Sequence, residues 1–287
     1  MQPHQPHTLL RWSGRELSPV DSASPPALLA ADSWLVEDGA TRGRDAHWAR
    51  FGGWARALGV TPASLKDFRV AVEDVMPVHG RWFPRLELVE GVHLQLRLRQ
   101  AQPVVSELRV AVGPPGDPRT RPRCKGPDIP LLLALRARAV AAGADELLLC
   151  DDEGRLVEGA LTALLWWEGE TLCTTPQDRT LPSVTRALLL AIARERGVAV
   201  RVRSPLPAEL AGGETWLVNA AHGIQVVTAW DGLAAGPAPR AQGWRVALDT
   251  TASWTRRRPV GRLLSRRSAC ARRRAAARAR PRAGAGA

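Results

Sequence analysis

The alternation of apolar and polar residues divides the first 112 positions into predicted strands and two predicted helices. Every second residue of His93-Leu-Gln-Leu-Arg-Leu-Arg99 is apolar, which is typical of a strand with one buried face. Trp48, Phe51, Trp54 and Leu58 recur at spacings of three and four, which indicates a helix with one buried face. The same patterns predict helices over residues 45–58 and 61–75 and strands over residues 9–12, 27–36, 82–89, 92–99 and 104–112. This part of the chain is therefore expected to be an α+β unit built on an antiparallel sheet.

Beyond residue 123 the pattern alternates between apolar helices and short buried strands. Helices are predicted over residues 129–142, 182–196, 207–211 and 244–252, and strands over residues 146–150, 161–167, 171–174, 198–202, 214–218 and 224–229. The intervening residues 113–123 are rich in Gly and Pro and predict a loop at a domain boundary. We therefore expect a small N-terminal α+β domain (residues 1–120), a larger C-terminal α/β domain (residues 121–252) and a disordered tail (residues 253–287).

The positive charge of the chain is concentrated in that tail. The formal net charge is +12, and residues 256–282 contain twelve Arg and no Asp or Glu, so the rest of the chain is neutral. A neutral body offers no basic face to nucleic acid, and nucleic-acid binding would therefore depend on the tail alone. A translated frameshift would have the same composition as this tail.

The cysteines, histidines and apolar runs argue against several other classes of protein. Four widely spaced cysteines without a CxxC pair fit neither a zinc ribbon nor a disulfide framework. The sequence contains no HExxH, GxGxxG or GxxxxGK[ST] motif, so neither a metal site nor a nucleotide site is predicted. No apolar run approaches the ~18 residues of a membrane span. We expect a cytoplasmic protein that binds no membrane.

Candidate chemistry is concentrated between Lys125 and Arg186. Neighbouring arginines and partial burial would lower the pKa of Lys125, as a lysine that forms a Schiff base requires. Glu158 follows a buried strand and can hold a pyridine nitrogen, and residues 183–185 begin a helix whose free N–H groups suit a phosphate monoester. Taken singly, the lysine and the helix start are better explained as a surface lysine and a capped helix, and the glutamate is explained equally well as a solvated residue at a strand end. In combination they suit pyridoxal 5'-phosphate (PLP).

These residues together resemble the class IV aminotransferase family, the fold-type IV PLP enzymes. That family includes branched-chain and D-amino acid aminotransferases and aminodeoxychorismate lyase. The resemblance rests on Glu158-Gly-Ala160, Leu172-Cys-Thr174 and Leu181-Pro-Ser-Val-Thr-Arg186, and upstream on Asp38-Gly39 followed by His47-Trp-Ala-Arg50. It spans about residues 8–250 and implies a two-domain fold similar to that of D-amino acid aminotransferase. The ungapped interval from the lysine to the glutamate is also similar to that of the lyase branch.

The resemblance implies a role for each of several residues. Lys125 would form the Schiff base and move protons, and Glu158 would hold the pyridine nitrogen. The other cofactor-binding residues would be Arg50, Val184, Thr185 and Ala220, and the substrate-binding residues would be Ser33 and Ala221. The resemblance also implies a homodimer whose active site lies between the two domains.

Three departures from the family pattern leave the reaction open. Ala163 and Leu165 stand where the family has Asn and an aromatic residue. Pro130 stands where its aminotransferases commonly have Tyr, and this chain contains no Tyr at all. The first expectation is transamination from an amino acid, or a similar amine, to a 2-oxo acid. One alternative is a 4-amino-4-deoxychorismate lyase that releases pyruvate and 4-aminobenzoate, and another is a non-catalytic family member.

Overall fold

The structure, a computed structural model, describes residues 7–20 and 26–254. The predicted disordered tail lies outside these residues from position 255 onward, whereas residues 253 and 254 belong to a short strand. Within the described ranges, no helix is long and apolar enough to cross a membrane.

The first half of the described chain forms a five-stranded sheet, a small second sheet and two helices. The strands are β1 (His7–Trp12), β2 (Leu17–Pro19), β3 (Leu28–Ser33), β4 (Val36–Glu37), β5 (Ala40–Arg42), β6 (Arg81–Trp82), β7 (Arg85–Val89) and β8 (His93–Arg99). The helices are α1 (Arg44–Ala57) and α2 (Pro62–Val75). The five-stranded sheet has the order β2-β1-β8-β7-β3 and is antiparallel throughout. Its core contains Phe51, Phe68, Leu86 and Leu96.

Local sequence explains the two turns that flank α1 and α2. Asp38 and Gly39 have φ values of 45° and 82°, which is the left-handed backbone that the predicted Asp-Gly hairpin turn between β4 and β5 requires. Thr61 caps α2, since its side chain accepts a hydrogen bond from the Ser64 backbone N–H at 3.1 Å. Both predictions are confirmed.

The second half of the chain, up to residue 254, contains ten strands and four helices. The strands are β9 (Glu107–Val112), β10 (Glu146–Cys150), β11 (Leu156–Gly159), β12 (Ala163–Glu168), β13 (Thr171–Thr174), β14 (Val200–Val202), β15 (Thr215–Asn219), β16 (Gly223–Trp230), β17 (Leu233–Ala234) and β18 (Ala252–Trp254). The helices are α3 (Ile129–Ala141), α4 (Val184–Glu195), α5 (Pro207–Leu210) and α6 (Ala241–Asp249). A nine-stranded mixed sheet follows the order β11-β10-β9-β16-β15-β12-β13-β14, with β17 paired to β16. The predicted α+β class is confirmed.

Strand β9 corrects the expectation that residues 104–112 belong to the N-terminal antiparallel sheet. It pairs in parallel with β10 and β16 and so lies inside the nine-stranded sheet. Leu108 and Val110 are buried in the core of that sheet. Alternation predicts that a segment is a strand with a buried face, but it carries no information about which sheet covers that face. The division of the chain into two domains near residue 120 stays a prediction.

The nine-stranded sheet is buried on both faces. In β12, Leu165 and Trp167 pack beneath α4 and α6, whereas Leu164 and Trp166 belong to the core on the opposite face. A strand buried on both sides appears in the sequence as a continuous apolar run. This sheet and its helices position most of the residues of the candidate site.

Candidate active site

Lys125 lies in an irregular loop that crosses the edge of the first sheet. Its backbone carbonyl accepts a hydrogen bond from the Ala31 N–H of β3 at 2.6 Å. The next residue, Gly126, has a φ of 151°, and a Cβ there would lie only 2.8 Å from the Cα of Ala30. Glycine is therefore required for the loop to approach β3 this closely. This approach holds Lys125 beside the residues at the end of β3.

The side chain of Lys125 is half-buried, and no described residue accepts a hydrogen bond from its Nζ. Burial and the neighbouring Arg50 lower the pKa of Lys125 to about 8, while Asp32 opposes the change. An amine with this pKa is substantially neutral near physiological pH, which is the form that attacks a carbonyl group. The lowered pKa expected from neighbouring cations is therefore present, although the main cation is Arg50 rather than a sequence neighbour.

Arg50 connects the first sheet to the helix α4. Its Nε and Nη2 donate to the two carboxylate oxygens of Asp32 at 2.7 and 2.8 Å. Its Nη1 donates to the carbonyl of Pro182 at 2.8 Å, two residues before α4 begins. His47 donates from Nδ1 to Asp32 Oδ1 at 2.7 Å, so both residues of the His-x-x-Arg motif of α1 donate to the same carboxylate. Burial opposes ionisation of Asp32, but Arg50 and His47 hold its pKa well below the usual range.

The first turn of α4 is buried next to these groups. Ser183 is its N-cap and accepts a hydrogen bond from the Arg186 N–H at 3.2 Å. Val184 and Thr185 are each 5 % exposed. The first N–H groups of a helix have no partner within the helix and carry the positive end of its dipole. The predicted helix start is confirmed, and Arg50 lies beside it.

Glu158 is 4 % exposed and lies in β11, close to the same turn. Its Oε1 accepts a hydrogen bond from the Leu181 N–H at 2.9 Å and a second, charged one from Arg119 Nη1. None of the described residues donates to Oε2. Burial raises the pKa of Glu158 above its ordinary value, and Arg119 and the Leu181 N–H counteract part of that rise.

Arg119 and Asp117 are site residues that the sequence analysis missed. Both side chains are at most 5 % exposed, and Arg119 donates from Nε and Nη2 to the two oxygens of Asp117 at 2.9 and 2.7 Å. They lie in the loop predicted over residues 113–123, where arginines between Gly and Pro are indistinguishable from solvated residues. Asp128 stabilises the same loop by accepting hydrogen bonds from the Thr120 and Arg121 N–H groups at 3.1 and 2.8 Å. One loop therefore carries Lys125 and a partner of Glu158.

The remaining predicted residues lie around this network. Ser33 is the last residue of β3, is 5 % exposed and follows Asp32 directly. Ala220 lines a narrow cleft together with His47 and Thr185. The N–H of Ala221 donates to the side chain of Asn219 at 3.0 Å, in the turn between β15 and β16. The roles assigned to these residues stay predictions.

A basic face of the first sheet is a further feature that the sequence analysis missed. Arg85 of β7 and Arg97 of β8 are directly opposite, and Arg99 follows on the same face two residues later. Glu87 pairs with Arg85 and with Arg97, both at 2.6 Å. Arg99 has no such partner among the described carboxylates; it donates to the Phe83 carbonyl and lies 5.2 Å from the centre of the Phe83 ring. Burial, Arg85 and Arg97 lower its pKa to about 10.

These arginines lie near enough to Lys125 to influence its charge. Arg85 and Arg99 both lower the pKa of Lys125, after Arg50. The alternation of β8 was a usable signal, because it placed both of that strand's arginines on the polar face of a predicted strand. What the sequence could not show is that Lys125 lies over that face.

The departures from the family pattern fall at buried and exposed positions alike. Ala163 and Leu165 are 2 % and 0 % exposed and are packed in the core between the nine-stranded sheet and its helices. Pro130 is exposed in the first turn of α3. In the buried strand β12, small and aliphatic side chains thus replace the polar and aromatic ones of the family pattern.

The residues present fit the cofactor that the sequence predicted. A half-buried amine has no hydrogen-bond acceptor among the described residues, and a buried carboxylate has one oxygen without a donor there. The buried guanidinium of Arg186, in the first turn of α4, has an Nη1 without a partner in the same ranges. An amine, a carboxylate oxygen and a cationic helix start are the groups that an aldehyde, a pyridine nitrogen and a phosphate require.

Comparisons with known proteins identify the family of the chain. The family described as amino-transferase class IV matches residues 29–230. No curated protein sequence matches the chain significantly. Among solved structures, a T.th. branched-chain amino acid aminotransferase complexed with N-(5'-phosphopyridoxyl)-L-glutamate has a TM-score of 0.73 at 18% identity, covering 87% of this chain and 99% of that chain.

Two further solved structures have the same fold. A fold IV-transaminase from Curtobacterium pusillum has a TM-score of 0.69 at 18% identity, covering 85% of this chain and 99% of its own. A putative 4-amino-4-deoxychorismate lyase from Legionella pneumophila has a TM-score of 0.69 at 19% identity, covering 80% of this chain and 97% of its own. These likenesses confirm the predicted fold-type IV architecture.

Proposed function

The chain belongs to the class IV aminotransferase family, and from this premise we propose that it is a PLP-dependent enzyme that transfers the amino group of an amino acid to a 2-oxo acid. The observation that carries this proposal is the environment of Lys125. Its amine has a pKa of about 8, has no hydrogen-bond acceptor among the described residues and lies beside the Arg50–Asp32 pair. The other members of the family set, Glu158 and the start of α4, are joined to that pair through Leu181 and Pro182.

Lys125 is the proposed catalytic residue. When bound, PLP supplies an electron sink that stabilises negative charge at the α-carbon of the substrate. Lys125 would hold the cofactor through its aldehyde group, and its amine would take the proton from the α-carbon of the substrate as a general base. The same amine returns a proton as a general acid in the reverse half of the cycle. A pKa of about 8 suits both directions.

The other residues hold the cofactor in place. Glu158 would hold the pyridine nitrogen through Oε2 and keep that nitrogen protonated. Arg50 and the N–H groups of Val184 and Thr185 would hold the phosphate, and Ala220 lines the adjoining cleft. Asp32 orients Arg50 through two hydrogen bonds, so Arg50 keeps one fixed position beside α4.

The substrate is proposed to be acidic. Arg99 is a half-buried cation without a carboxylate partner in the described ranges, and it lies near enough to Lys125 to lower the pKa of that lysine. A carboxylate of the substrate would supply the missing charge. With Ser33 and Ala221 near the α-carboxylate, Arg99 would bind the side-chain carboxylate of a dicarboxylic amino acid.

The visible absorption spectrum of the purified protein with added PLP tests this function. We expect a band of lysine-bound PLP that disappears on addition of an acidic amino acid and returns with 2-oxoglutarate. Lys125→Ala should abolish the band. Lys66→Ala is the matched control, because Lys66 is the other lysine in the chain and is exposed on α2. A band that survives Lys125→Ala would refute the assignment.

The second candidate is 4-amino-4-deoxychorismate lyase. Pro130 and the absence of Tyr favour it, because the family's aminotransferases commonly place a Tyr near the phenolic oxygen of the cofactor. Its substrate also carries two carboxylates, which suits Arg99. A band that persists with every amino donor, together with release of pyruvate from aminodeoxychorismate, would favour this candidate. A protein that binds PLP but turns over neither substrate would be the non-catalytic family member.

We further propose a cytoplasmic homodimer. Cys124, Cys150 and Cys173 are buried free thiols, which suits a reducing compartment. Helix α3 exposes Leu133 and Val140, which are seven residues apart and so share one face, although the helix is apolar along most of its length. A second copy of this chain would cover that face.

A further inference from the structure

The carboxylate of Glu158 is held from one side only. Oε1 accepts hydrogen bonds from Arg119 Nη1 and from the Leu181 N–H, whereas Oε2 has no donor among the described residues. The side chains of Arg119 and Glu158 are 3 % and 5 % exposed, so water contributes little to this arrangement. The asymmetry leaves one oxygen available in a fixed orientation.

Arg119 is itself held in one position. Two of its nitrogens donate to the two oxygens of Asp117, and Nη2 also donates to the carbonyl of Arg179 at 2.9 Å. A guanidinium bound in this bidentate way has little freedom to rotate. The loop that carries Arg119 also carries Lys125 six residues later, and Leu181 is the residue whose N–H shares Oε1.

Burial by itself would favour the neutral form of Glu158. Burial raises the pKa of Glu158, and the groups that act against this are Arg119, the Leu181 N–H and the more distant Arg186. A buried carboxylic acid and a pyridine that share one proton place it on whichever group is the stronger base. Without Arg119, Glu158 would become a stronger base, and the shared proton would shift from the ring towards the carboxylate.

We propose that Arg119, oriented by Asp117, is a positioning residue that binds one oxygen of Glu158 and thereby keeps the shared proton on the pyridine nitrogen of PLP. This inference rests on the proposed function, because it concerns the contact between Glu158 and the cofactor. Arg119 touches neither substrate nor cofactor and acts only through Glu158. The pyridine ring retains its positive charge because the arginine weakens the base that competes for the proton.

The position of the proton is measured directly by the ¹⁵N chemical shift of [¹⁵N]PLP bound to the protein. In the native protein we expect a pyridinium signal from pH 6 to pH 9. Arg119→Met removes the charge but keeps the length, and its signal should move to that of a neutral pyridine. Arg119→Lys retains the charge and should restore the pyridinium signal. Arg109→Met is the matched control, since Arg109 forms a comparable pair with Asp145 at the surface.

A purely structural role for Arg119 predicts a different result. In that case Arg119→Met would lower the melting temperature or weaken PLP binding, but the nitrogen signal of the bound cofactor would stay that of a pyridinium. That outcome would overturn the proposal. A double variant adds a second criterion. In a Glu158→Gln background, Arg119→Met should no longer change the nitrogen signal, because the carboxylate through which Arg119 acts has been removed.

Titration of Glu158 in the PLP-free protein separates this proposal from the proposed function. With ¹³C-labelled glutamate, and Glu158→Gln to assign the signal, Arg119→Met should raise the pKa of Glu158, with at least a tenfold gain in proton affinity. An unchanged pKa would overturn the role of Arg119. Failure of the native protein to bind PLP would instead overturn the proposed function, while this titration would still decide whether Arg119 controls the carboxylate.

Asp117→Asn distinguishes orientation from simple charge and keeps the arginine in place. If Asp117 acted only as a nearby negative charge, its removal would lower the pKa of Glu158. Because we assign it the orientation of Arg119, we expect its removal to raise the pKa of Glu158 in the same direction as Arg119→Met. A lowered pKa would show that Arg119 needs no partner to hold Glu158.

Discussion

A lysine amine attacks an aldehyde only in its neutral form, so the surroundings of Lys125 set the pH at which PLP can be attached. Burial and Arg50 lower its pKa to about 8, against 10.5 for a free lysine. Arg50 is held in place by Asp32, whose low pKa keeps that partner ionised over the whole working range. Arg50, in the motif of α1, thus lowers the pKa of Lys125, in the loop before α3.

The rate of PLP attachment should therefore rise with pH and level off above about pH 8. For a pKa of about 8 the neutral fraction, and with it the second-order rate constant, rises about tenfold between pH 7 and pH 9 and little thereafter. Stopped-flow absorbance at constant ionic strength measures this constant. A rate constant that continued to rise steeply up to pH 10 would mean that Lys125 has an ordinary pKa.

Arg99 permits a second test at the residue scale. Loss of a hydrogen bond to a charged group costs about 1.5–3 kcal/mol, so Arg99→Met should raise KM for an acidic amino acid about tenfold or more. PLP binding should be unchanged, because Arg99 is not among the proposed cofactor ligands. Steady-state kinetics with glutamate and with a neutral amino acid separate the two effects. The control is Arg201→Met at an exposed ion pair of β14, where we expect no change in KM.

The helices α2 and α4 begin where the sequence predicts, because caps act over three or four residues, whereas the last helix spans Ala241–Asp249 rather than the predicted residues 244–252. Thr61 and Ser183 both accept a hydrogen bond from the N–H three residues later, at 3.1 and 3.2 Å. Only the second of these helices begins at the candidate phosphate site. Comparison of the two caps therefore separates the stability of a helix from its use in binding.

Thr61→Ala and Ser183→Ala should cost similar stability but differ in their effect on PLP. Each removes an N-cap, which costs about 1 kcal/mol of unfolding free energy. If the first turn of α4 binds the phosphate, Ser183→Ala should also weaken PLP binding about fivefold, the equivalent of that energy, and Thr61→Ala should not. Thermal denaturation and fluorescence titration with PLP measure the two quantities. Equal affinities in both variants would argue against a phosphate site at α4.

At the scale of the whole molecule, α3 is the helix whose burial is incomplete. Of its thirteen residues only Ala139 is buried, while Leu133 and Val140 are 48 % and 47 % exposed. An apolar helix gains stability by covering its face, and in the proposed homodimer a second chain would cover it. Since α3 directly follows the loop of Lys125, such an interface would also hold the site in position.

Leu133→Glu should convert the native dimer into a monomer that binds PLP more weakly. A charge placed in an apolar interface must lose its hydration, which opposes association. Val246→Glu is the matched control, because Val246 is 57 % exposed on α6. Sedimentation velocity measures the oligomeric state of each variant. A native protein that sediments as a monomer while binding PLP fully would contradict the interface.

The sequence by itself determined where most of the helices and strands lie and where α1, α2 and α4 begin, and it predicted that Lys125, Glu158 and Arg50 belong to one family motif. These features depend on residues a few positions apart, through side-chain periodicity, caps and turn geometry. Only the tertiary structure decided that β9 lies in the nine-stranded sheet and that Arg50, rather than a sequence neighbour, lowers the pKa of Lys125. It also decided that Arg119, paired with Asp117, is buried against Glu158. The partner of a strand and the burial of a charge depend on segments far apart in the chain, and no local pattern records which of them meet.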